Sequence, residues 1–379
     1  MVARLPAAVP FVDLARQHEP LRAELSAAFE RVVGTSGFIL GAEGEAFERE
    51  FAAFCGTDHC VGVASGMAAL TLALQAAGIG PGDEVVVPAH TFIASALAVV
   101  HAGAEPVFCD VDDGTGLIDP ASAEEAVGER TAAILAVHLY GQMCDMDRLE
   151  ELVRRRGLAL FEDAAQAHGA THDGRRAGGF GRAAGFSFYP SKNLGALGDA
   201  GAICTNDAEL ADRARWLRHV GQRGKGEHVL PGWNERLDGM QAALLRVKLP
   251  HVERWNEARR EHAAAYRHEL GGDGPRLLVE RPSTPCVYHV FPIRTADRDR
   301  LAERLGERGV GTSVHYSPAV PDQPPFRAAR TAGEVPNARA WAAEELSLPI
   351  FAELEPNEVE YVAQALAAAG ARGESELSA

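Results

Sequence analysis

Short apolar segments alternate with helical segments from residue 59 onward, and this alternation limits the possible folds more than any other feature of the sequence. The strands predicted from it are 59–63, 84–87, 105–110, 132–137 and 158–161. The helices predicted between them are 67–77, 90–102, 120–127 and 147–156. Strands that are apolar along their whole length are typical of a parallel sheet with helices on both faces. The sequence therefore predicts an α/β fold whose polar strand ends share one edge of the sheet.

The regions before and after this alternation have a different pattern. Apolar residues at helical spacing predict helices at about 21–34 and 43–55. A long helical stretch at 240–270, interrupted by a proline, could carry the chain out of the sheet domain. The segments predicted beyond it are strands 288–293 and 312–315 and helices 301–308 and 358–369. We therefore expect a large domain, 1–245, and a smaller C-terminal α+β domain, 246–379.

Composition and charge exclude several classes of partner. The 379 residues include 37 basic and 53 acidic side chains, which gives a net charge of −16. Nucleic acids and anionic membranes are bound by basic surfaces, so neither is expected here. The first twelve residues lack the apolar core of a signal peptide, and no run approaches the ~20 apolar residues of a spanning helix, so we expect a cytoplasmic protein. The six cysteines form no Cys-x-x-Cys pair, and neither disulfides nor a metal site is expected.

One lysine occupies a setting in which lysines are uncommon. Lys192 follows a predicted strand, 186–189, and Pro190, and it lies in a glycine-rich turn. Apolar, aromatic surroundings lower the pKa of an ammonium group from about 10.4 towards the range where the free amine attacks a carbonyl. Lys192 is therefore a candidate Schiff-base lysine. A solvated surface turn is the other interpretation of the same residues.

Three further features precede this lysine along the chain. Ser65, Gly66 and Met67 join a strand to a helix start, which is a seat for phosphate or an ordinary helix cap. Phe92 is either a ring that stacks on an aromatic cofactor or a core residue. Asp163 ends a buried strand, where it either pairs with a pyridinium N–H or caps a helix. In chain order, a phosphate seat, a stacking ring, a carboxylate and a Schiff-base lysine are what pyridoxal phosphate requires.

Seven motifs occur in order over nearly the whole chain. They are Val-Ala-Ser-Gly-Met-Ala-Ala-Leu (63–70), Val-Pro-Ala-His-Thr-Phe-Ile-Ala (87–94), His-Leu-Tyr-Gly (138–141), Glu-Asp-Ala-Ala-Gln-Ala-His-Gly (162–169), Phe-Tyr-Pro-Ser-Lys-Asn-Leu-Gly-Ala (188–196), Gly-Trp-Asn-Glu-Arg-Leu-Asp (232–238) and Leu-Ser-Leu-Pro (346–349). Together they resemble the DegT/DnrJ/StrS family of sugar aminotransferases. The resemblance implies the aspartate-aminotransferase fold (fold type I), with a large, mostly parallel seven-stranded sheet domain, a smaller C-terminal α+β domain, and a homodimer that shares its active sites.

The resemblance also implies the residues that bind pyridoxal 5′-phosphate. They would be Gly66, Met67, Phe92, Asp163, Gln166, Ser187 and Lys192, joined by the partner subunit's Asn234. Lys192 would bond the aldehyde, Asp163 the pyridine nitrogen, and Gln166 the ring face or the phenolic oxygen. Phe92 would stack on the ring, while the phosphate would lie against the N-terminus of the helix after Ser65. Met67 replaces a threonine found in many members, so one side-chain phosphate contact is lost.

The resemblance further narrows the expected reaction. Related sugar dehydratases carry histidine in place of the lysine, so Lys192 favours transamination. Segment 189–199 resembles enzymes that aminate C3 of a nucleotide-linked keto sugar, although Ser191 replaces a glycine often found in them. The expected reaction is ping-pong transfer from L-glutamate to such a sugar, carried by dTDP. The alternatives are amination at C4, amination of a cyclitol ketone, and a non-catalytic regulatory role.

Four residues are candidates for binding the sugar nucleotide. Arg223 and Lys225 lie in the loop 221–231 and could neutralise a diphosphate, or they could belong to a mobile surface loop. His315 and Tyr316 could approach the sugar from the C-terminal domain, or they could be core residues. The two basic residues are candidates because a nucleotide diphosphate needs cations near the active site of so acidic a protein.

Overall fold

The computed structural model describes residues 8–271 and 274–376, so part of the stretch assessed for a signal peptide lies outside the described residues. The helices are α1 (Leu14–His18), α2 (Arg22–Thr35), α3 (Ala42–Cys55), α4 (Gly66–Ala76), α5 (Ile93–Ala102), α6 (Pro120–Ala126), α7 (Met146–Arg156), α8 (Ala208–Arg218), α9 (Gly239–Lys248), α10 (Val252–Glu269), α11 (Arg298–Glu307), α12 (Pro336–Glu344) and α13 (Pro356–Glu376). Among the described residues, none of these helices combines the length and apolar character needed to cross a membrane.

The strands are β1 (His59–Val63), β2 (Glu84–Pro88), β3 (Glu105–Cys109), β4 (Thr131–Val137), β5 (Ala159–Asp163), β6 (Thr171–His172), β7 (Arg175–Arg176), β8 (Ala183–Ser187), β9 (Gly201–Thr205), β10 (Gln222–Gly224), β11 (Glu227–His228), β12 (Arg276–Leu277), β13 (Phe291–Arg294) and β14 (Glu345–Leu348). Seven of them form the main sheet in the order β1-β9-β8-β5-β4-β2-β3. β9 runs antiparallel to the six other strands, which are parallel to one another.

Both faces of the main sheet are covered. Val85, Val86 and Val87 follow one another along β2 and have no exposed surface. Successive side chains of a strand point to opposite faces, so their joint burial requires packing on each side. The predicted α/β fold with a mostly parallel seven-stranded sheet is confirmed.

The predicted alternation agrees with the observed elements at β1 to β5, where each strand end lies within two residues of its predicted position. The predicted strand 186–189 is wrong in its limits, because β8 begins at Ala183 and ends at Ser187. The strand starts with small residues that favour a strand only weakly by themselves. Gly185 is required there, since a Cβ atom would come within 2.7 Å of Leu70 on α4. Phe188 therefore lies beyond the strand, in the turn that leads to Lys192.

The C-terminal part of the chain contains a second, antiparallel sheet with the order β12-β13-β14. The long helical stretch is interrupted as predicted, by a 3₁₀ turn at Leu249–His251 between α9 and α10. Segment 312–315 is not a strand, because only Ser313 pairs with a neighbouring strand, at Ser347 of β14. The chain then turns away and brings His315 towards the main sheet. The domain limit at residue 245 stays a prediction.

Candidate active site

A cavity of about 460 Å³ opens at the carboxyl ends of the parallel strands β4, β5 and β8. Nine residues that the sequence predicted for the site line it: Gly66, Met67, Phe92, Asp163, Gln166, Ser187, Lys192, His315 and Tyr316. Ligands of open α/β sheets bind at this edge, where the strand ends and the following loops leave polar groups free. The cavity also has the concave shape of a small-molecule site.

Lys192 is held in a tight turn that follows β8. Its backbone N–H donates a hydrogen bond to the carbonyl of Tyr189 at 2.8 Å. The turn requires glycine at position 195, because a Cβ atom there would lie 2.2 Å from the carbonyl oxygen of Pro190. The Nζ atom lies 3.3 Å from Nε2 of His289. Burial lowers the pKa of Lys192 to about 8, although the nearby charge of Asp163 opposes this shift. About a tenth of the amine is therefore neutral near pH 7, far more than for an exposed lysine.

Asp163 presents its carboxylate to the same cavity from the end of β5. The Ser95 hydroxyl donates a hydrogen bond to Oδ2 at 2.7 Å, and the Ala165 N–H donates one to Oδ1 at 3.1 Å. Burial raises the pKa of Asp163, while these two hydrogen bonds and the charge of Lys192 counteract the rise. A protonated ring nitrogen bound here would favour the ionised carboxylate still further.

The N-terminus of α4 and Ser187 form one wall of the cavity. Ser65 caps the helix, since its Oγ accepts a hydrogen bond from the Ala68 N–H at 3.1 Å. A Cβ atom on Gly66 would lie 2.7 Å from the Cβ of Ser187, so only glycine allows this close approach. A helix N-terminus with a hydroxyl beside it combines free N–H groups, the positive end of the dipole and a further donor. This wall is suited to an anion such as phosphate.

The residues from the C-terminal part are fastened to the main sheet by hydrogen bonds. The amide of Gln166 accepts one from the Tyr140 N–H at 2.6 Å and donates one to the Tyr316 hydroxyl at 2.9 Å. The Tyr140 hydroxyl donates to the His315 carbonyl at 2.7 Å. The ring of Tyr316 lies against that of Phe92, with 5.0 Å between the ring centres. These contacts place His315 and Tyr316 over the cavity.

Three predicted site residues do not reach this cavity within one chain. Arg223 and Lys225 lie on the exposed hairpin formed by β10 and β11, where Arg223 forms an ion pair with Glu227 of the same hairpin. Asn234 lines a neighbouring cavity. Asp199 lines both cavities, so the second lies directly beside the first. For Arg223 and Lys225 the sequence indicated no subunit, whereas Asn234 was expected to join the site of the partner subunit, and that expectation stays a prediction.

Sequence reasoning missed several residues that hold the predicted ones. Ser95 bonds Asp163 from the first turns of α5, and nothing in the local sequence distinguishes it from other helical serines. His289 meets Lys192 from 97 positions away, a contact that only the tertiary structure defines. Tyr140 gave a signal, because it belongs to the His-Leu-Tyr-Gly motif. Its φ of 65° is uncommon for a residue other than glycine, and its N–H donates to Gln166. The next residue, Gly141, is itself at a φ of 99°, and a Cβ atom there would lie 2.8 Å from Val287.

Comparisons with known proteins agree over nearly the whole chain. Residues 20–367 match the DegT/DnrJ/EryC1/StrS aminotransferase family. A Streptomyces venezuelae protein named dTDP-3-amino-3,4,6-trideoxy-alpha-D-glucose transaminase is 51% identical over 92% of this chain and 92% of its own. A Geobacillus stearothermophilus protein named pleiotropic regulatory protein is 46% identical over 95% of this chain and 98% of its own. The crystal structure of S. venezuelae DesV in complex with a ketimine intermediate has a TM-score of 0.92 and 49% identity, covering 95% of this chain and 97% of that one.

Proposed function

The chain belongs to the DegT/DnrJ/EryC1/StrS aminotransferase family, and we propose that it transfers the amino group of L-glutamate to C3 of a dTDP-linked keto sugar. The choice of C3 as the carbon that is aminated is supported by the S. venezuelae relative, which is named for a 3-amino sugar. The observation that carries the proposal is the cavity amine of Lys192, with its lowered pKa, in the same cavity as the buried carboxylate of Asp163. A protein that only binds a sugar nucleotide does not need this combination.

Pyridoxal 5′-phosphate is the cofactor of this family, and the residues of the cavity fit it. The wall of Gly66 and Ser187 suits its phosphate, and Asp163 suits its ring nitrogen. Phe92 keeps half of its surface exposed, which leaves an aromatic face free for stacking. Lys192 is the amine for its aldehyde. When bound, the cofactor supplies an electron sink for the negative charge that develops on the substrate carbon.

The side chains of the cavity have separate tasks in this reaction. Lys192 Nζ takes the proton from the α-carbon of the amino donor, and a pKa of about 8 suits a base that works near neutral pH. Asp163 would hold the proton on the ring nitrogen of the bound cofactor, because its carboxylate can accept a hydrogen bond there. Phe92 and Tyr316 cover the cavity and limit the access of water.

A homodimer would bring the separated residues to the site. The region that carries Arg223 and Lys225 also exposes the apolar side chains of Val229 and Trp233, which are 39% and 45% exposed. Exposed apolar residues in one region are typical of a surface that is buried on association. In the dimer, the hairpin cations would meet the diphosphate of the sugar nucleotide, and the partner subunit's Asn234 would join the phosphate seat.

The absorbance spectrum of the protein with pyridoxal 5′-phosphate, recorded before and after L-glutamate, tests this function. We expect a visible band that glutamate bleaches in the native protein, and an altered band that glutamate does not bleach in Lys192→Ala. Lys225→Ala serves as the matched control, because it removes a lysine outside the cavity and should bleach like the native protein. A native band that does not respond to glutamate would contradict the proposal and favour the regulatory role that the name of the G. stearothermophilus relative suggests.

A further inference from the structure

Three polar side chains form a line behind the cavity. His315 lines the cavity, and its Nδ1 atom lies 2.8 Å from Oγ of Ser347. The Ser347 hydroxyl is hydrogen bonded to Oε1 of Glu345, whose Oε2 accepts the backbone N–H of His315. Glu345 and Ser347 have no exposed surface. They stand two positions apart on β14, so both side chains project from the same face of the strand.

This arrangement determines which nitrogen of His315 is available to a ligand. Ser347 occupies Nδ1, which leaves Nε2 as the nitrogen that can serve the cavity. The ring is further fixed by stacking on Phe11, with 5.6 Å between the ring centres. In a neutral imidazole one nitrogen carries the proton and the other accepts, and the partner of one nitrogen decides the role of the other. Ser347 therefore controls whether Nε2 donates or accepts.

We propose that Glu345, Ser347 and His315 form a proton relay. A proton from the cavity binds Nε2 of His315, and a different proton reaches Glu345 at the far end of the relay. When Nε2 takes up a proton, the Nδ1 proton passes to Oγ of Ser347, and the hydroxyl proton of Ser347 passes to Oε1 of Glu345. The ring ends neutral in the other tautomer, and Glu345 becomes neutral. Glu345 and Ser347 are thus positioning residues that act through His315.

The relay rests on the proposed function, because the amino donor of that reaction is the source of the proton that His315 accepts. An amino donor enters the cavity as an ammonium ion and must lose a proton before its nitrogen can attack a carbonyl carbon. Lys192 is not free for this task while it is bonded to an aldehyde. Nε2 of His315 is a second base on the same cavity, and its proton can leave by way of Ser347.

The electrostatics of the relay agree with its geometry. Burial raises the pKa of Glu345 to about 8, against the opposing effects of the Ser347 and His315 hydrogen bonds and of Arg298. Burial and the charge of Lys192 lower the pKa of His315 to about 4. His315 therefore stays neutral in the range where Glu345 gains and loses its proton. A change at Glu345 alters the tautomer of the ring and leaves its charge unchanged.

Other titratable groups around the relay come from several elements. The groups that face it are Lys192 and His289 from the cavity side, Tyr140 and Tyr316 beside the ring, and Arg298 from α11. Burial raises the pKa of each tyrosine far above neutral, and burial lowers the pKa of His289 well below its usual value. Lys192 has a pKa of about 8, so its titration must be separated from that of Glu345.

The tautomer of His315 in the cofactor-free protein tests the relay. Long-range ¹⁵N–¹H spectra of protein labelled in histidine, with His315→Asn to assign the signal, report which nitrogen carries the proton. We expect the proton on Nε2 below pH ~8, where neutral Glu345 donates to Ser347, and on Nδ1 above it, where the carboxylate accepts. A tautomer that does not change between about pH 6 and about pH 10 would overturn the relay.

Two variants and one control show whether the titration of Glu345 or that of Lys192 changes the tautomer of His315. In Glu345→Gln the amide oxygen must face the His315 N–H, so the NH₂ group donates to Ser347 and should fix the proton on Nε2 at every pH. Ser347→Ala should also remove the pH dependence, and it serves if the glutamine variant fails to fold. Glu344→Gln is the matched control, because Glu344 bonds Arg294 outside the relay and its loss should leave the change near pH 8 in place. A native-like transition in Glu345→Gln would overturn the assignment.

The rate of reaction with glutamate links the relay to the chemistry. Above pH ~8 we expect Glu345→Gln to react about tenfold more slowly than the native protein, because it cannot accept the proton. A changed tautomer with an unchanged rate would overturn the role of the relay in catalysis. A native protein that does not react with glutamate would overturn the proposed function instead, and the tautomer measurement would still decide whether Glu345 controls His315.

Discussion

The cavity and the hairpin region were assigned to one site by the same sequence reasoning, yet they differ in how their residues are held. Asp163 ends the buried strand β5 and Lys192 lies in the turn that follows β8, and hydrogen bonds with neighbours in the same chain fix both residues. Arg223, Lys225 and Asn234 lie outside the cavity, and Arg223 has only an exposed ion pair within its own hairpin. A single chain therefore brings together the residues of the cavity, whereas the proposed contacts of the hairpin with the sugar nucleotide require a second copy.

Removal of the cavity amine should have the largest effect on activity. We expect Lys192→Ala to transfer amino groups at least about 10³-fold more slowly, because it loses the group that takes the substrate proton. Product formation from glutamate and a panel of nucleotide keto sugars measures the loss. A variant within tenfold of the native rate would mean that the cavity is not the chemical centre.

Asp163→Asn should have the second-largest effect on activity. The amide keeps the size of the side chain but cannot hold a protonated ring nitrogen, so we expect the reaction with glutamate to slow by about 10² to 10³-fold. The variant should still bind the cofactor, because the other contacts of the cavity remain. Stopped-flow absorbance follows both properties. If this variant reacts with glutamate at the native rate, Asp163 has no role in the reaction and its carboxylate contributes only to the structure.

A mixture of two inactive variants tests whether the two regions meet across subunits. Lys192→Ala and Asn234→Ala are unfolded, mixed in equal amounts and refolded together. If the partner subunit's Asn234 completes each site, half of the dimers are hybrids with one intact site, and about a quarter of native activity should return. Each variant refolded alone is the control. No recovery in the mixture, with dimers present, would contradict a site that is shared between subunits.

The hairpin cations should have the smallest effect. We expect Arg223→Ala and Lys225→Ala to raise KM for the sugar nucleotide about five- to tenfold with kcat nearly unchanged, because each loses an exposed charge contact to the diphosphate. The KM for glutamate should not change. Arg215→Ala is the matched control, since Arg215 forms a surface ion pair with Asp212 on α8. Equal effects on both substrates would contradict the role of the hairpin.

The parts of the structure that sequence predicts well are those that the chain determines locally. Apolar runs, glycine stops and the proline at 250 predicted the strands β1 to β5 and the break between α9 and α10, because period and turn chemistry act over a few residues. The sequence did not predict β9, which lies between β1 and β8 and runs in the opposite direction to both. The position of a strand within a sheet depends on distant partners, which no local pattern contains.

The same distinction applies to the site. Asp163 and Lys192 were predicted because Asp163 ends a predicted strand, Lys192 follows one, and each is a charged residue in an apolar setting. Ser95, His289 and the line from His315 to Glu345 were missed, since their roles arise from contacts between segments that are far apart in the sequence. Residues that position others leave little trace in a single sequence, and the folded chain is needed to find them.

The attachment site of the cofactor tests the central claim most directly. The chain contains only three lysines: Lys192 in the cavity, Lys225 on the hairpin, and Lys248, which is fully buried and donates to the Gly195 carbonyl. Protein loaded with pyridoxal 5′-phosphate is reduced with borohydride, digested and analysed by mass spectrometry, which shows the lysine that carries the cofactor. The account predicts one adduct, on Lys192. An adduct on Lys225 or Lys248 in place of Lys192 would contradict it.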